Sequence, residues 1–301
     1  VKGRVWLWSA IATVLLWGVW GAFAGLSAQH GFPDTLVYCV WALTMIPPAI
    51  VILWQAGWRL DRQPAAILQG MAVGLLGAGG QMVLFYAVTR GPAYLVFPVI
   101  SLSPVVTIAL SFVFLHERTG RLGALGIVLA LAALPLFDFH PGSADSEPAS
   151  GWLLPALVVM LCWGVQAFFM KSANRIMSAE SIFCYMTVAG LLLMPVAYAM
   201  TDHHLAVNWH WDGPWLAAGI QVLNAIGALT LVFAFRHGKA IVVAPLTNAG
   251  APLATALISL ALLGTMPGTF KLAGILLALV ASLMLAIEPD SEAADVRSSA
   301  A

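Results

Sequence analysis

Apolar residues fill this chain in long runs, separated by short clusters of charge, Gly and Pro. The runs lie near residues 6–28, 35–55, 65–89, 93–115, 122–138, 152–171, 181–201, 214–235, 240–263 and 270–287. A helix needs about 20 apolar residues to cross a bilayer, so the pattern predicts an all-α membrane protein with ten transmembrane helices. The first run carries aromatics and is followed by many more, which reads as a first span rather than a cleaved signal peptide. Connections as short as Arg90-Gly91-Pro92 and Arg236-His237-Gly238-Lys239 make the helices they join antiparallel neighbours.

Composition sharpens the picture. Of 301 residues, 61% are hydrophobic and 9% charged, whereas about a quarter of a soluble domain carries charge. Ten spans leave no room for a sizeable soluble catalytic domain. Lys plus Arg equals Asp plus Glu at 13 each, so no basic field suited to nucleic acid exists. Placement of the charge is more informative. With the N-terminus in the cytoplasm, the inner loops and ends hold Lys2, Arg4, Arg59, Arg62, Arg118, Arg121, Lys171, Arg175, Arg236, Lys239 and Arg297, and the outer loops only Arg90 and Lys271. That distribution predicts cytoplasmic termini in a bacterial inner membrane.

The chain also repeats itself. Leu16-Trp17-Gly18-Val19 returns as Cys162-Trp163-Gly164-Val165, 146 residues on, and Phe85 to Gly91 aligns with Val232 to Gly238 at a shift of 147. Pro98 falls on Pro245 at the same shift, and Gly126-Ile127 matches Gly274-Ile275 at 148. The predicted organisation is a first five-helix repeat over 1–139, a periplasmic linker over 140–150, a second repeat over 151–288 and a cytoplasmic tail over 289–301. Five is odd, so the repeats lie inverted in the membrane. Inverted repeats are the plan of carriers that expose a midplane site by alternating access; duplicated channels share it.

Ten helices, the two Trp-Gly pairs, the short connection before the fourth and ninth helices, Pro98 and Pro245, and the His116-Glu117-Arg118 turn together resemble the EamA branch of the drug/metabolite transporter superfamily. Residues 6–287 carry the likeness, and bacterial exporters of aromatic and other amino acids are its nearest character match. The resemblance implies a basket-shaped cavity lined by the first, third, fourth, sixth, eighth and ninth helices. Leu263-Gly264-Thr265-Met266-Pro267 stands where the second repeat would carry the glutamate-bearing turn, a departure from the family pattern.

Candidate chemistry is neutral. No Asp, Glu, Lys, Arg or His occupies the middle of a span, which removes the usual marker of a proton relay and the parts of a buried hydrolytic centre. The seven His lie in loops or at helix ends, no phosphate-cradling Gly-rich motif occurs, and Cys39, Cys162 and Cys184 read as small buried hydrophobes. The expectation is therefore a non-enzyme without cofactor or metal. Its partners are a small solute and the bilayer, and a monomer is favoured over a homodimer.

Substrate-lining candidates are Trp17 and Trp20 in the first helix, Gln81 and Tyr86 in the third, and Tyr94, Pro98 and Ser101 in the fourth. Their counterparts are Trp163 and Gln166 in the sixth, Asn224 in the eighth, and Pro245 and Asn248 in the ninth. Trp17 with Trp20, and Trp163 with Gln166, share a helical face at i, i+3. Ser101 and Asn248 coincide under the 147 shift. Interhelical packing is the plainer reading for any single Ser or Thr. Pro98, Pro104, Pro245 and Pro252 each remove an N–H inside a span, an arrangement tolerated at membrane depth only where the backbone is buried or lines a wet cavity. Trp6, Trp8, Trp54, Trp58, Trp209, Trp211 and Trp215 sit near span ends as belt anchors. Gly120, Gly123 and Gly126 in the fifth helix, and Gly274 with Ala278 in the tenth, predict a close contact between those two helices.

Aromatic faces and amides suit an amphipathic solute bound weakly. The expected function is export of amino acids, aromatic ones included, by facilitated diffusion. The alternatives are export of cationic drugs, nucleosides or sugar derivatives, or a role as a non-transporting membrane subunit or membrane enzyme.

Overall fold

The structure is a computed structural model that describes residues 5–115, 120–138, 151–202, 204, 206–237, 240–264 and 267–287. The His116-Glu117-Arg118 turn, the 140–150 linker and the 289–301 tail lie outside the described residues. Among those described, every regular element is helical.

The first expected span is α1 (Val5–Phe23) followed by the single turn α2 (Leu26–Gln29); the second divides into α3 (Asp34–Thr44) and α4 (Ile46–Gln55). Pro47 and Pro48 explain the second division, since each lacks the N–H that would continue the ladder back to Leu43 and Thr44. α5 (Pro64–Arg90) is one long helix. α6 (Ala93–Ile100) and α7 (Ser103–Leu115) share the next span and part at Ser101-Leu102. Pro98 and Pro104 bracket that break, and the Ser101 hydroxyl donates to the Pro98 carbonyl at 2.7 Å. α8 (Arg121–Asp138) completes the first repeat.

The second repeat runs through α9 (Leu153–Ala173), α10 (Ala179–Ala199), a π turn (Trp211–Trp215) leading into α11 (Leu216–His237), α12 (Ala240–Leu263) and α13 (Thr269–Ile287). α12 continues unbroken past Pro245 and Pro252, unlike its counterpart in the first repeat. Among the described residues, seven stretches are long and apolar enough to cross a membrane: Val5–Gln29, Asp34–Gln55, Pro64–Arg90, Ala93–Phe114, Leu153–Met170, Ala179–Ala199 and Trp211–Leu231. The expected spans 122–138, 240–263 and 270–287 coincide with shorter apolar helices, Arg121–Ala133, Gly250–Leu262 and Thr269–Ala281. Leu15, Leu68, Phe114, Leu154, Leu192, Leu257 and Leu276 are all exposed on the outside of the bundle, the surface that hydrocarbon rather than water solvates.

Packing interleaves the repeats. α1 lies against α11 and α12 of the second repeat, while α9 lies against α5 and α7 of the first. α5 also packs on α10, where a Cβ at Gly70 would run into the Tyr185 ring and one at Gly74 would lie 2.6 Å from the Ala189 Cβ. α8 and α13 form the remaining close pair: Ala130, Ala133, Ala278 and Ala281 are buried between them, and Gly274 faces Leu136. Small residues permit that approach, and dispersion then holds it. α3 meets α10 through the Tyr38 hydroxyl, which donates to the Gly190 carbonyl at 3.1 Å, and just past the end of α10 the Thr35 and Thr201 hydroxyls lie 2.8 Å apart.

Candidate functional site

The repeated Trp-Gly pairs form two matching joints. Trp17 Nε1 donates to the Asn224 carbonyl at 3.2 Å, and Trp163 Nε1 donates to the Gly77 carbonyl at 3.3 Å. Asn224 and Gly77 are 147 apart, so the two bonds are related by the same operation as the sequence repeat. Each indole lies over a glycine of the helix it meets: a Cβ at Gly227 would collide with the Trp17 ring, and one at Gly80 would sit 2.6 Å from Trp163 Nε1. Gly227 and Gly80 are again 147 apart. Beside the first joint, Thr13 bonds the Gly227 carbonyl at 3.3 Å and the Thr230 hydroxyl at 2.8 Å. Trp17 and Trp163 thus spend their N–H groups on the opposite repeat's backbone and remain half-buried.

The polar side chains break this symmetry. α5 carries Gly74 and Gly77 where α11 carries Gln221 and Asn224, and α1 carries Trp20 where α9 carries Gln166. Trp20 Nε1 donates to Gln221 Oε1 at 2.9 Å in a fully buried contact, and its ring meets Phe97 edge-on at 5.7 Å. Gln166 is buried, with its amide against Gly77. Asn224 is also buried, at 8% exposure. Gln81, one turn beyond Gly77 on α5, is 5% exposed, and its Nε2 and that of Gln221 have no hydrogen-bond partner among the described residues. Buried donors in that condition favour a solute or water acceptor.

Ser101 is buried at the α6–α7 break, its hydroxyl occupied by the Pro98 carbonyl. Tyr86 and Tyr94 flank the connection between α5 and α6. Tyr86 is 40% exposed under the Arg90 guanidinium, 4.6 Å from the ring centre, and Tyr94 packs half-buried on the core. Pro245 and Asn248 belong to α12, with side chains outside the described set. A further pocket of about 280 Å³ opens between α7 and α9, lined by Leu110, Phe114, Val165, Phe168 and Phe169; its lining is wholly apolar.

Two end loops tie the helices together outside the spans. In the connection between α4 and α5, Asp61 Oδ2 accepts from the Ser178 N–H at 2.8 Å and from the Ser178 and Ser181 hydroxyls at 3.0 Å each. The Tyr185 hydroxyl donates to the Asp61 carbonyl at 2.6 Å. The Ser178 N–H, then the serine hydroxyls, hold the Asp61 carboxyl below the usual carboxylate range. At the equivalent position 147 residues on, Asn208 donates through Nδ2 to the His30 carbonyl at 2.7 Å and through its backbone N–H to the Gly31 carbonyl at 3.0 Å. His30 Nδ1 faces Asp212 at 3.3 Å. Trp8, Trp54, Trp58, Trp209, Trp211 and Trp215 are all exposed, the position expected of belt residues.

Residues outside the expected set shape this centre most: Gln221, Gly77, Gly80 and Gly227. For Gly77 and Gly80 the signal is present in the sequence. Gly70, Gly74, Gly77 and Gly80 recur at helical spacing on α5, the signature of a face that another helix approaches closely.

Comparison with known proteins agrees with this architecture. The pseudopaline exporter CntI of Pseudomonas aeruginosa is 29% identical over 195 residues, 64% of this chain and 66% of that protein. The match therefore spans just under two thirds of the exporter's length. An uncharacterized protein of Methanocaldococcus jannaschii is 39% identical over 59 residues, 20% of this chain and 43% of that one. A crystal structure described only as that of a protein shares the fold with a TM-score of 0.62, covering 92% of this chain and 94% of its own at 18% identity. The description "EamA-like transporter family" matches residues 4–137 and again 150–287, so both repeats carry the family pattern and the protein belongs to the EamA-like transporters.

Proposed function

We propose that the protein is an inner-membrane exporter of amino acids, aromatic ones included, and of related amphipathic metabolites, working by alternating access. In this reading ten helices cross the bilayer with both termini in the cytoplasm, as inverted repeats over 1–139 and 151–288. The supporting observation is the pair of Trp joints, Trp17 to Asn224 and Trp163 to Gly77, which fasten each repeat to the other in the same way. Inverted repeats fastened to each other in this way fit the plan on which one repeat rocks against the other around a site between them.

The cargo class follows from the neutral lining. Gln81, Gln166 and Asn224 are buried amides; with Ser101 and Asn248 they offer neutral hydrogen bonds worth about 0.5–1.5 kcal/mol each. Trp17 and Trp163, both half-buried, offer ring faces to an ammonium group or a second ring at about 0.5–2 kcal/mol, while Trp20 is buried against Gln221 and Phe97. A few such terms against the cost of association give binding on the order of micromolar to millimolar, suited to clearing an abundant metabolite. The relative that exports pseudopaline supports outward movement. With no charged group at the middle of a span, flux runs down the solute gradient.

Purified protein in vesicles, challenged with a panel of labelled amino acids, tests the reading. Saturable flux that competes with other aromatic amino acids and survives collapse of the proton gradient is expected. Solute movement no faster than in protein-free vesicles across the whole panel defeats it.

A further inference from the structure

The Trp-Gly pairs meet a second repeated motif. Pro104-Val105-Val106-Thr107 in α7 and Pro252-Leu253-Ala254-Thr255 in α12 share the pattern Pro-x-x-Thr, 148 residues apart. The Thr107 hydroxyl donates to the Gly164 carbonyl at 2.9 Å, and the Thr255 hydroxyl donates to the Gly18 carbonyl at 3.2 Å. A Cβ at Gly164 would fall 2.5 Å from the Val106 Cβ, and one at Gly18 would fall 2.5 Å from the Ala254 Cβ. Val106 and Ala254 are themselves 148 apart. The Pro-x-x-Thr motif of each repeat therefore grips the Trp-Gly motif of the other.

The chemistry of the grip is specific. A backbone carbonyl has two lone pairs and its helix ladder uses one, so a hydroxyl can take the second without breaking the helix. Only glycine lets the neighbouring helix come near enough. The alternative partner of Thr107, the Ser103 carbonyl in its own helix, lies at 3.5 Å, too long to compete with the bond across the interface. One turn before each threonine a proline removes an N–H, which leaves the Ile100 and Asn248 carbonyls without their usual ladder partner. The chain is thus weakest just before the point where it is pinned.

We propose that Thr107 and Thr255 are positioning residues for transport. Their hydroxyls fix the C-terminal limbs of the fourth and ninth spans to α9 and α1, so that bending at the proline-weakened turns moves only the N-terminal limbs, residues 93–100 and 240–250. The proposal rests on the carrier reading above, and its test has one readout that needs no cargo.

Thr107→Val and Thr255→Val keep the shape and remove the hydroxyl; Thr107→Ser and Thr255→Ser keep the hydroxyl. In vesicles, exchange of labelled phenylalanine is expected to lose about threefold in maximal rate for each Val change, the equivalent of about 0.6 kcal/mol per interhelical bond. The concentration for half-maximal rate stays within about twofold, and Ser restores the rate. The second readout places a Ser101→Cys probe in a background with Cys39, Cys162 and Cys184 replaced by Ser, and follows its reaction with a membrane-impermeant thiol reagent. The Val variants are expected to change that rate about threefold and the Ser variants not at all.

Unchanged labelling in both Val variants overturns the proposal. So does unchanged exchange in a protein that carries phenylalanine, or a loss that Ser does not restore. If wild-type protein moves no phenylalanine but labelling shifts as described, the cargo assignment fails and the pinning stands. Should a double Val variant not fold, the two single variants decide.

Discussion

Trp20 and Gln221 meet where the end of α1 crosses α11, indole N–H to amide oxygen at 2.9 Å, and Gln221 is entirely buried. The indole can only donate, so this bond fixes the amide's orientation and leaves Gln221 Nε2 turned away, with no partner among the described residues. Removing either member strands the other, at about 1–3 kcal/mol for a buried unpaired group. Removing both strands neither. Trp20→Phe and Gln221→Leu should each lower the thermal midpoint of the purified protein, and the double variant should be more stable than the sum of the two losses. A double-mutant cycle with coupling of about 0.6–2 kcal/mol is expected; a coupling of zero shows the contact is incidental.

Gly227, beneath the Trp17 ring, and Gly77, whose carbonyl accepts from Trp163, should not respond alike to an added methyl. At Gly227 a Cβ meets the rigid indole of Trp17, which is held by its own bond to Asn224. At Gly77 it meets the far end of the Gln166 side chain, and a flexible amide can rotate away. Gly227→Ala should therefore cost about 1–3 kcal/mol of overpacking, and Gly77→Ala clearly less. Denaturation of the two variants side by side measures the difference, and an inverted order contradicts the geometry.

Where a stretch is long and apolar enough to cross, a single sequence marks it to within a few residues, because the bilayer imposes length and apolarity on a crossing. α5 occupies 64–90 against an expected 65–89, and α10 occupies 179–199 against 181–201. The repeat was readable for a related reason: Trp17 and Trp163 do the same mechanical task in two places. What Trp17 touches was not. A membrane helix is apolar on every side, so its pattern does not say which face meets which neighbour, and the contact of α1 with α11 joins residues more than 200 apart. Nor does composition separate the broken α6–α7 from the continuous α12, although Pro98 and Pro245 are equivalent in sequence. At the break the Leu102 N–H turns to the Val99 carbonyl at 3.2 Å and the Ser101 hydroxyl to the Pro98 carbonyl, local bonding that the composition of the span does not announce.

Acid should loosen the end loop at Asp61. Hydrogen bonds from the Ser178 N–H and from the Ser178 and Ser181 hydroxyls lower its pKa in the folded protein. A group with a depressed folded value adds stability above its unfolded value of about 3.9 and loses it as pH falls through the folded one. Asp61→Asn should accordingly be less stable than wild type at pH 7 and match it near pH 2. Thermal midpoints at the two pH values give the comparison; a gap that persists unchanged in acid means the carboxylate charge is not what holds the loop.

Transport itself should separate the two functions of Trp163. Its N–H serves the joint with Gly77, while its half-buried ring is left for a solute. Trp163→Phe removes the first and keeps an aromatic face; Trp163→Ala removes both. If the ring contacts cargo, Phe should retain flux within about threefold and Ala should lose about 10-fold or more, the upper range of an aromatic contact. Gln166→Ala, which deletes the neighbouring amide but no joint, should lower flux about 2- to 10-fold, in keeping with one neutral hydrogen bond, with the yield of folded protein unchanged. Flux in vesicles normalised to folded protein provides the measurement. Equal losses in Trp163→Phe and Trp163→Ala, together with wild-type flux in Gln166→Ala, would confine this corner of the bundle to packing and move the cargo site toward Gln81 and Asn224.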